Sequence, residues 1–313
     1  MGINPENNKP LVSIIVNCYN GEFFLKSCLQ SILNQTYNNW EIIFWDNAST
    51  DKSAEIYKSY KDHRFRYFES NKNVALGQAR AWAVEKCKGE YIAFLDVDDE
   101  WFPKKTEIQI RLMIKENSYL SYSGVLLKTD DGNTSVFTPK YKSGYIFDKL
   151  LNQFEVNMPC SIIKSEALAI LNINFNPKII ASEEYDLFIQ IAAKFNISVI
   201  EEPLCMYRVS SNSLTNSSIN SRAQDKRLTF TKLEKNFLPE ISRYNKAYQK
   251  AKAKINYYEF QNFYYQGNYN DAKRSLKKIL FIDYRYFLIF VILYISPKFY
   301  NKILKWYDKR GFA

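Results

Sequence analysis

The 313-residue chain holds a single histidine, His63, and only five cysteines. Cys18, Cys28, Cys87, Cys160 and Cys205 lie far apart and form no Cys-x-x-Cys pair, which leaves a cysteine–histidine zinc site without ligands. They read as small buried hydrophobes in a reducing compartment. His63 lies in a polar turn ahead of an apolar run and reads as a surface residue. The opening residues, MGINPENNKP, contain no apolar stretch, so the expectation is a cytoplasmic protein with no secretory signal before its first strand. A run of ten apolar residues at 286–295 falls short of the roughly 20 that cross a bilayer. No period of self-similarity runs through the chain.

What the chain has in excess is positive charge, unevenly placed. Of 43 Lys and Arg against 33 Asp and Glu, residues 1–221 carry 23 against 26, whereas residues 222–313 carry 20 against 7. The formal charge of +10 is therefore a property of the C-terminal third. Such a region attracts phosphate polymers and anionic lipid headgroups alike, so its other residues must decide. Lys273, Arg274, Lys277, Lys278 and Arg285 precede the apolar run, and Lys298, Lys302, Lys305, Lys309 and Arg310 follow it. Tyr284, Tyr294, Tyr300 and Trp306 add aromatics of the kind that favour the headgroup level. The pattern describes a helix lying in a membrane interface, with packing against protein as the alternative. Nucleic acid is set aside, because base-stacking platforms would not be joined by a long aliphatic run.

Before residue 120, short apolar runs at 11–16, 41–45, 65–68 and 91–95 alternate with helical spacings. Those are Phe24, Cys28 and Ile32; Ala54 and Tyr57; and Leu76, Ala79, Ala83 and Cys87. Repeated βαβ units predict an α/β, Rossmann-like fold with a mostly parallel sheet and flanking helices. Ligands of such sheets bind at the carboxyl ends of the strands, where polar residues should gather. They do so at residues 17–20, 46–51 and 96–99. Further on, the pattern predicts a hairpin of 121–127 with 134–137, a helix over 184–194 and a short strand at 198–200. The Ser- and Asn-rich stretch 210–221 reads as a linker or loop. Residues 1–215 are thus expected to form one domain and 216–313 a basic helical extension. Within the extension, residues 263–280 resemble half of one tetratricopeptide unit through Tyr264, Gly267, Tyr269 and Ala272.

Asp96, Asp98 and Asp99 follow a strand that should be buried. Carboxylates crowded there repel one another and rise in pKa unless a cation joins them, and Mg²⁺ or Mn²⁺ takes oxygen ligands alongside substrate phosphates. Asp99 is also placed to cap the helix expected near Pro103, so metal turn and helix cap both stand on this motif alone. In the segment 46–51, Asp46 and Asn47 are placed to bond a base or ribose, whereas Ser49, Thr50 or Asp51 caps the next helix.

Taken together, LVSIIVNCYNG (11–21), LQSILNQTY (29–37), EIIFWD (41–46), Ala79–Arg80, GEYIAFLDVDD (89–99) and WFPK (101–104) resemble family 2 glycosyltransferases of the GT-A fold. The resemblance runs from about Leu11 to Thr215. It implies an inverting enzyme that uses a nucleotide sugar and Mn²⁺ or Mg²⁺. By position it implies that Asn17 and Tyr19 contact the base, that Asp46 and Asn47 hold base and ribose, and that Arg80 lies near diphosphate or base. It also implies that Asp96 contacts ribose, that Val97 lines the turn, and that Asp98, with Asp96, binds the metal. SEEYDL (182–187) matches the segment bearing the catalytic base, which is Glu184; Glu183 is a second catalytic candidate, with a solvated charge as its alternative, and Asp186 caps or braces the helix. Three departures stand out: Asn47 replaces an aspartate, Ala81 an asparagine, and Ser210 the histidine that often follows Tyr-Arg-x.

The function this implies is transfer of a sugar from a nucleotide-diphosphate donor (UDP preferred, dTDP or GDP as alternatives) to a hydroxyl. The acceptor would be a glycan or lipid-linked molecule in surface polysaccharide or lipopolysaccharide synthesis, handled by a peripheral enzyme at the inner membrane face. The alternatives are a sugar-phosphate nucleotidyltransferase, for which residues 17–21 lack a basic residue, and an inactive nucleotide- or glycan-binding module.

Overall fold

A computed structural model of the chain describes residues 9–209, 221–295 and 300. The chain divides into two compact units, Met1–Ser217 and Ser218–Ala313.

In the first unit, β1 (Val12–Cys18), β2 (Trp40–Asp46), β3 (Phe65–Glu69) and β4 (Tyr91–Asp96) run parallel in the order β3-β2-β1-β4. Every residue of β1 and β2 is buried, as an unbroken apolar run with helices on both faces requires. The connecting helices are α1 (Leu25–Leu33), α2 (Ser53–Lys58) and α3 (Leu76–Val84), the first burying Leu25, Cys28, Leu29 and Ile32 along one stripe. Beyond β4 come β5 (Glu100–Trp101), α4 (Lys105–Glu116), β6 (Leu120–Thr129), β7 (Thr134–Phe137) and α5 (Phe147–Asn152). The unit closes with β8 (Ser161–Lys164), α6 (Ser165–Leu171), α7 (Glu183–Lys194) and β9 (Ile197–Val209).

The sheet continues β4-β8-β6-β9-β5, and this half corrects the expectation of a mostly parallel sheet. β8 lies antiparallel to both neighbours, β7 is antiparallel to β6, and β5 is antiparallel to β9, whereas β6 and β9 are parallel. The β6–β7 hairpin needs only a tight turn, which antiparallel pairing alone permits. β5 and β8, of two and four residues, are too short to show a period in the sequence. β9 starts near the expected strand but runs on past Glu201, Glu202 and Pro203, because a register shift around Gly124 absorbs the interruption. That continuation carries Tyr207 and Arg208 toward the turn after β4.

The reading of all five cysteines as separate thiols is also corrected. Cys160 and Cys205 are joined as a disulfide between buried segments, with Cα atoms 6.0 Å apart, while Cys18, Cys28 and Cys87 are free. His63 is exposed, as expected.

The second unit is helical: α8 (Arg222–Asn236), α9 (Leu238–Arg243), α10 (Asn245–Tyr265), α11 (Tyr269–Lys277) and α12 (Tyr284–Ile295). Phe230 packs against Tyr248, and a second cluster gathers Phe260, Tyr264, Leu276, Tyr286 and Leu293. The stretch resembling half a tetratricopeptide unit is the α10–α11 hairpin, where the Tyr264 and Tyr269 rings meet edge to face at 5.5 Å. The expected linker over 210–220, Ser210 itself, and residues 301–313 with Lys302, Lys305, Trp306, Lys309 and Arg310 lie outside the described residues, as does Lys298. Among the described residues no helix is long and apolar enough to cross a membrane.

One position fixes the approach of α3 to the sheet. Gly89 donates its N–H to the Ser13 hydroxyl (2.8 Å), and a Cβ there would lie 2.6 Å from Ser13 N and 2.7 Å from the Leu11 and Tyr91 carbonyl oxygens. All three are backbone atoms of paired strands and cannot yield separately. Gly89→Ala is expected to destabilise the first unit by about 3 kcal/mol, read as a lower urea midpoint at unchanged slope.

Candidate active site

The parallel register sets Asn17 beside Asp96 across β1–β4 and Cys18 beside Asp46 across β1–β2, so the polar strand ends form one rim. The loop after β1 is pinned to the loop after β2. Asn20 donates its backbone N–H to Ser49 Oγ (3.0 Å) and accepts from the Thr50 N–H (2.8 Å), and Glu22 N–H reaches Asp51 (2.9 Å). Asp51 also accepts the Ser53 N–H (2.9 Å), supporting the start of α2. Tyr19, half exposed, is displayed on this pinned loop. Gly21 lies against Val97, where an added Cβ would come within 2.7 Å of a methyl group. The loop after β1 therefore rests directly on the Asp96–Asp99 turn.

That turn is electrostatically loaded. Burial, and then the neighbouring Asp96 carboxylate, push Asp98 up to about 6. Burial also raises Asp99 well above the usual carboxylate range, with Asp98 and Asp96 adding to it. Asp99 does not cap α4, whose first turn has no side-chain cap; its Oδ1 accepts the Arg208 backbone N–H (2.9 Å). Its Oδ2 has no hydrogen-bond partner. Arg208 turns its guanidinium to Glu100 (2.5 Å) and over the Phe24 ring (5.1 Å). The Tyr207 hydroxyl is held neutral far up the pH scale by burial and by Asp99, Asp96, Asp98 and Glu184 together. Glu184 thus shares a neighbourhood with the aspartate turn.

Arg80 joins the two. It is buried on α3 and donates to Asp96 (2.6 Å) and to Glu183 (2.5 Å). Burial pulls its pKa down, but Asp96, Glu183 and Glu184 outweigh that and hold it above its ordinary value. Both terminal nitrogens of Arg80, the residue expected near diphosphate or base, are thus engaged with carboxylates of the protein. Glu183 is buried and so is not a solvated charge; it pairs with Arg80 at the first turn of α7, and Glu184, half-buried, is the next acidic group.

Asn47, expected to hold base and ribose, is engaged within the protein. Its amide donates to Asn73 (3.0 Å) and to the Val74 carbonyl (2.8 Å), and its oxygen accepts from Ser70 (3.0 Å) and the Val74 N–H (3.2 Å). It holds the loop over 70–74. Asp46 stands where expected but is buried, accepting from the Ser49 N–H and the Tyr67 hydroxyl, each at 2.8 Å. Asn17 is different: it is buried and its Nδ2 has no partner. Asp186 is fully buried in the first turn of α7.

The structure therefore brings together Asn17, Asp46, Arg80, Asp96, Val97, Asp98, Glu183 and Glu184, with Tyr19 on the rim. Sequence reasoning missed Tyr207 and Arg208 as site residues. Their signal was present in Tyr207–Arg208 itself, but the strand that delivers them was read as ending at Ile200. As for a metal, Asp96 and Asp98 offer hard oxygen donors in a place with surplus negative charge, which fits Mg²⁺ or Mn²⁺. Among the described residues no group of three or more His, Cys, Asp or Glu is set to hold an ion by itself.

Comparison with known proteins gives the family and the fold. A family model described as glycosyl transferase family 2 matches residues 13–168. An uncharacterized glycosyltransferase of Methanocaldococcus jannaschii is 36% identical over 212 residues, covering 65% of this chain and 72% of that protein. The chain belongs to glycosyl transferase family 2. This family 2 chain is also 35% identical over 184 residues to the Escherichia coli UDP-Glc:alpha-D-GlcNAc-diphosphoundecaprenol beta-1,3-glucosyltransferase WfaP, covering 59% of this chain and 71% of WfaP. Among solved structures, residues 1–349 of Staphylococcus aureus TarS in complex with UDP-GlcNAc superpose with a TM-score of 0.69 at 16% identity, covering 88% of this chain and 82% of that one. The Pyrobaculum calidifontis mannosyltransferase PcManGT in complex with GDP-Man and Mn²⁺ gives 0.61 at 16% identity, covering 87% and 76%. The fold of the first unit is GT-A, followed by a helical extension.

Two substitutions should move stability in opposite directions. Arg80→Leu leaves Asp96 and Glu183 facing each other without their cation and is expected to cost about 3–5 kcal/mol. Asp98→Asn, measured with chelator present, removes one of three crowded charges and should raise stability by ~1 kcal/mol. Urea unfolding of both variants beside wild type checks the pair; equal signs would refute this account of the turn.

Proposed function

We propose that the chain is an inverting glycosyltransferase that moves a sugar from a nucleoside-diphosphate sugar to a hydroxyl of a lipid-linked or surface-glycan acceptor. The observation that carries this reading is the Arg80 bridge, which donates to Asp96 of the turn (2.6 Å) and to Glu183 (2.5 Å), the residue next to Glu184. A proton acceptor and a diphosphate-binding turn in one half-buried neighbourhood are what the reaction needs.

In this reading the base stacks on Tyr19 and bonds the Asn17 amide, with Asp46 beneath as part of the wall. Asp96 reaches the ribose from the end of β4. Asp98, with Asp96, holds Mn²⁺ or Mg²⁺, which when bound supplies positive charge at the departing diphosphate. Glu184 removes the proton from the acceptor hydroxyl as its oxygen bonds the anomeric carbon. The nucleoside diphosphate leaves from the opposite face, so the configuration inverts. Arg80 and Glu183 keep the helix bearing Glu184 fixed to the turn bearing Asp98, and Arg208 places a backbone N–H on Asp99.

The donor base is proposed as uracil. UDP-GlcNAc in TarS and the UDP-Glc in the name of WfaP support it, while GDP-Man in PcManGT keeps guanine in the test. WfaP is named for a diphosphoundecaprenol acceptor, which supports a lipid-linked acceptor and work at the inner membrane face. A nucleotidyltransferase is disfavoured by the loop over 17–21, which has no basic residue to meet a triphosphate.

Mn²⁺-dependent release of nucleoside diphosphate from a panel of UDP-, dTDP- and GDP-sugars tests the proposal. One donor should be turned over by wild type, with Glu184→Gln about 10³-fold slower in kcat at little changed KM. Asp98→Ala should lose both turnover and metal dependence. Full activity in Glu184→Gln would sink the assignment of the base, and no binding of any donor would sink the transferase reading.

A further inference from the structure

Helix α12 has two apolar faces and only one of them is covered. Tyr286 and Leu293 are buried, with Ile289 and Phe290 partly buried beside them, all against the cluster around Phe260, Tyr264 and Leu276. These positions follow i, i+3, i+4, i+7 spacing, the inward stripe of a packed helix. The outward stripe has the same spacing and is equally apolar: Tyr284 (74% exposed), Phe287 (50%), Leu288 (51%), then Val291 and Tyr294 (75%). Phe281, in the turn before, is 96% exposed. A helix apolar all round is ordinarily enclosed, and an exposed stripe of this length marks a docking surface.

The surroundings identify the partner. Lys277 and Lys278 are exposed at the end of α11, and Lys273 sets its Nζ 5.2 Å from the centre of the Tyr294 ring. Lys273 thus stands at the aromatic edge of the stripe, and the exposed Lys277 and Lys278 shortly precede α12 in a region carrying 20 basic against 7 acidic residues. An apolar protein partner would leave those lysines unmatched, whereas a bilayer with anionic headgroups satisfies both layers at once. At 12 residues, or ~18 Å, the helix cannot span and must lie along the surface.

We propose that the outward face of α12 docks on anionic lipid, with Phe281, Tyr284, Phe287 and Leu288 entering the interface and Lys273, Lys277 and Lys278 meeting headgroup phosphates. This deepens the reading of a lipid-linked acceptor by naming the surface that keeps the enzyme beside it.

The test is flotation of the full chain with phosphatidylcholine vesicles, with and without phosphatidylglycerol, alongside donor hydrolysis in solution. Wild type should float with the mixed vesicles and not with phosphatidylcholine alone, and added salt should weaken it. Phe287→Ser with Leu288→Ser should weaken partition at least tenfold, and Lys277→Gln with Lys278→Gln about thirtyfold, both at unchanged donor hydrolysis. If the serine variant misfolds, as seen by lost hydrolysis, the lysine pair carries the test alone. Failure to float, equal binding to neutral vesicles, or unchanged partition in the lysine variant would overturn the proposal. So would self-association lost in the serine variant with no vesicle binding, since the face would then join two copies. Flotation without turnover on any donor would leave the docking intact and sink the transferase reading instead.

Discussion

A single buried guanidinium ties the site together. Arg80 sits on α3 and meets Asp96 from the end of β4 and Glu183 from the start of α7, residues that the chain separates by 87 positions. Burying a cation is costly, and it is tolerated here because two carboxylates face it at hydrogen-bonding distance. Their need is mutual, since without Arg80 each would be a buried anion beside another. The result is a rigid link from the strand end that carries Asp98 to the helix that carries Glu184. In the proposed reaction these two groups act on one substrate, and the link registers them through the protein before any ligand arrives.

The acids of the site divide according to whether they were given a partner. Asp96 and Glu183 have Arg80, and Asp46 has Tyr67 and the Ser49 N–H. Asp98 and Asp99 have little: burial and mutual repulsion lift both, and one oxygen of Asp99 is unmatched. A fold selected for stability alone would not leave two carboxylates so placed. In the proposed reaction a bound divalent cation supplies the counter-charge that this turn lacks.

Much of this was legible in the sequence, for identifiable reasons. β1, β2 and β4 are continuous apolar runs ended by polar clusters, and the strand-end rule then located Asn17, Asp46 and Asp96–Asp99. What was not legible was how side chains would be used. Asn47 and Arg80 both stand near the expected place, yet Asn47 braces the loop over 70–74 and Arg80 is an internal clamp. Sequence spacing gives position but not the direction of an amide or guanidinium. The second half of the sheet was obscured for another reason. β5 and β8 are too short for a period, and Pro203 hides a strand that continues through a bulge. Arg208 was read only as part of the Tyr-Arg-x segment ahead of Ser210, because it rides on the far end of that strand.

The uneven charge of the chain follows from what the proposed reaction asks of it. A site that holds a metal and a diphosphate needs unneutralised carboxylates, and lysines gathered near Asp98 and Asp99 would pair with them. A surface that stays at an anionic membrane needs free lysines, and acidic residues nearby would draw them away from headgroups. Both demands cannot be met by one patch, because each set of charges is the natural ligand of the other. The chain meets them in different units: residues 1–221 carry slightly more acid than base, and residues 222–313 carry nearly three bases for every acid. That division along the sequence explains why an overall charge of +10, taken undivided, does not describe one basic surface.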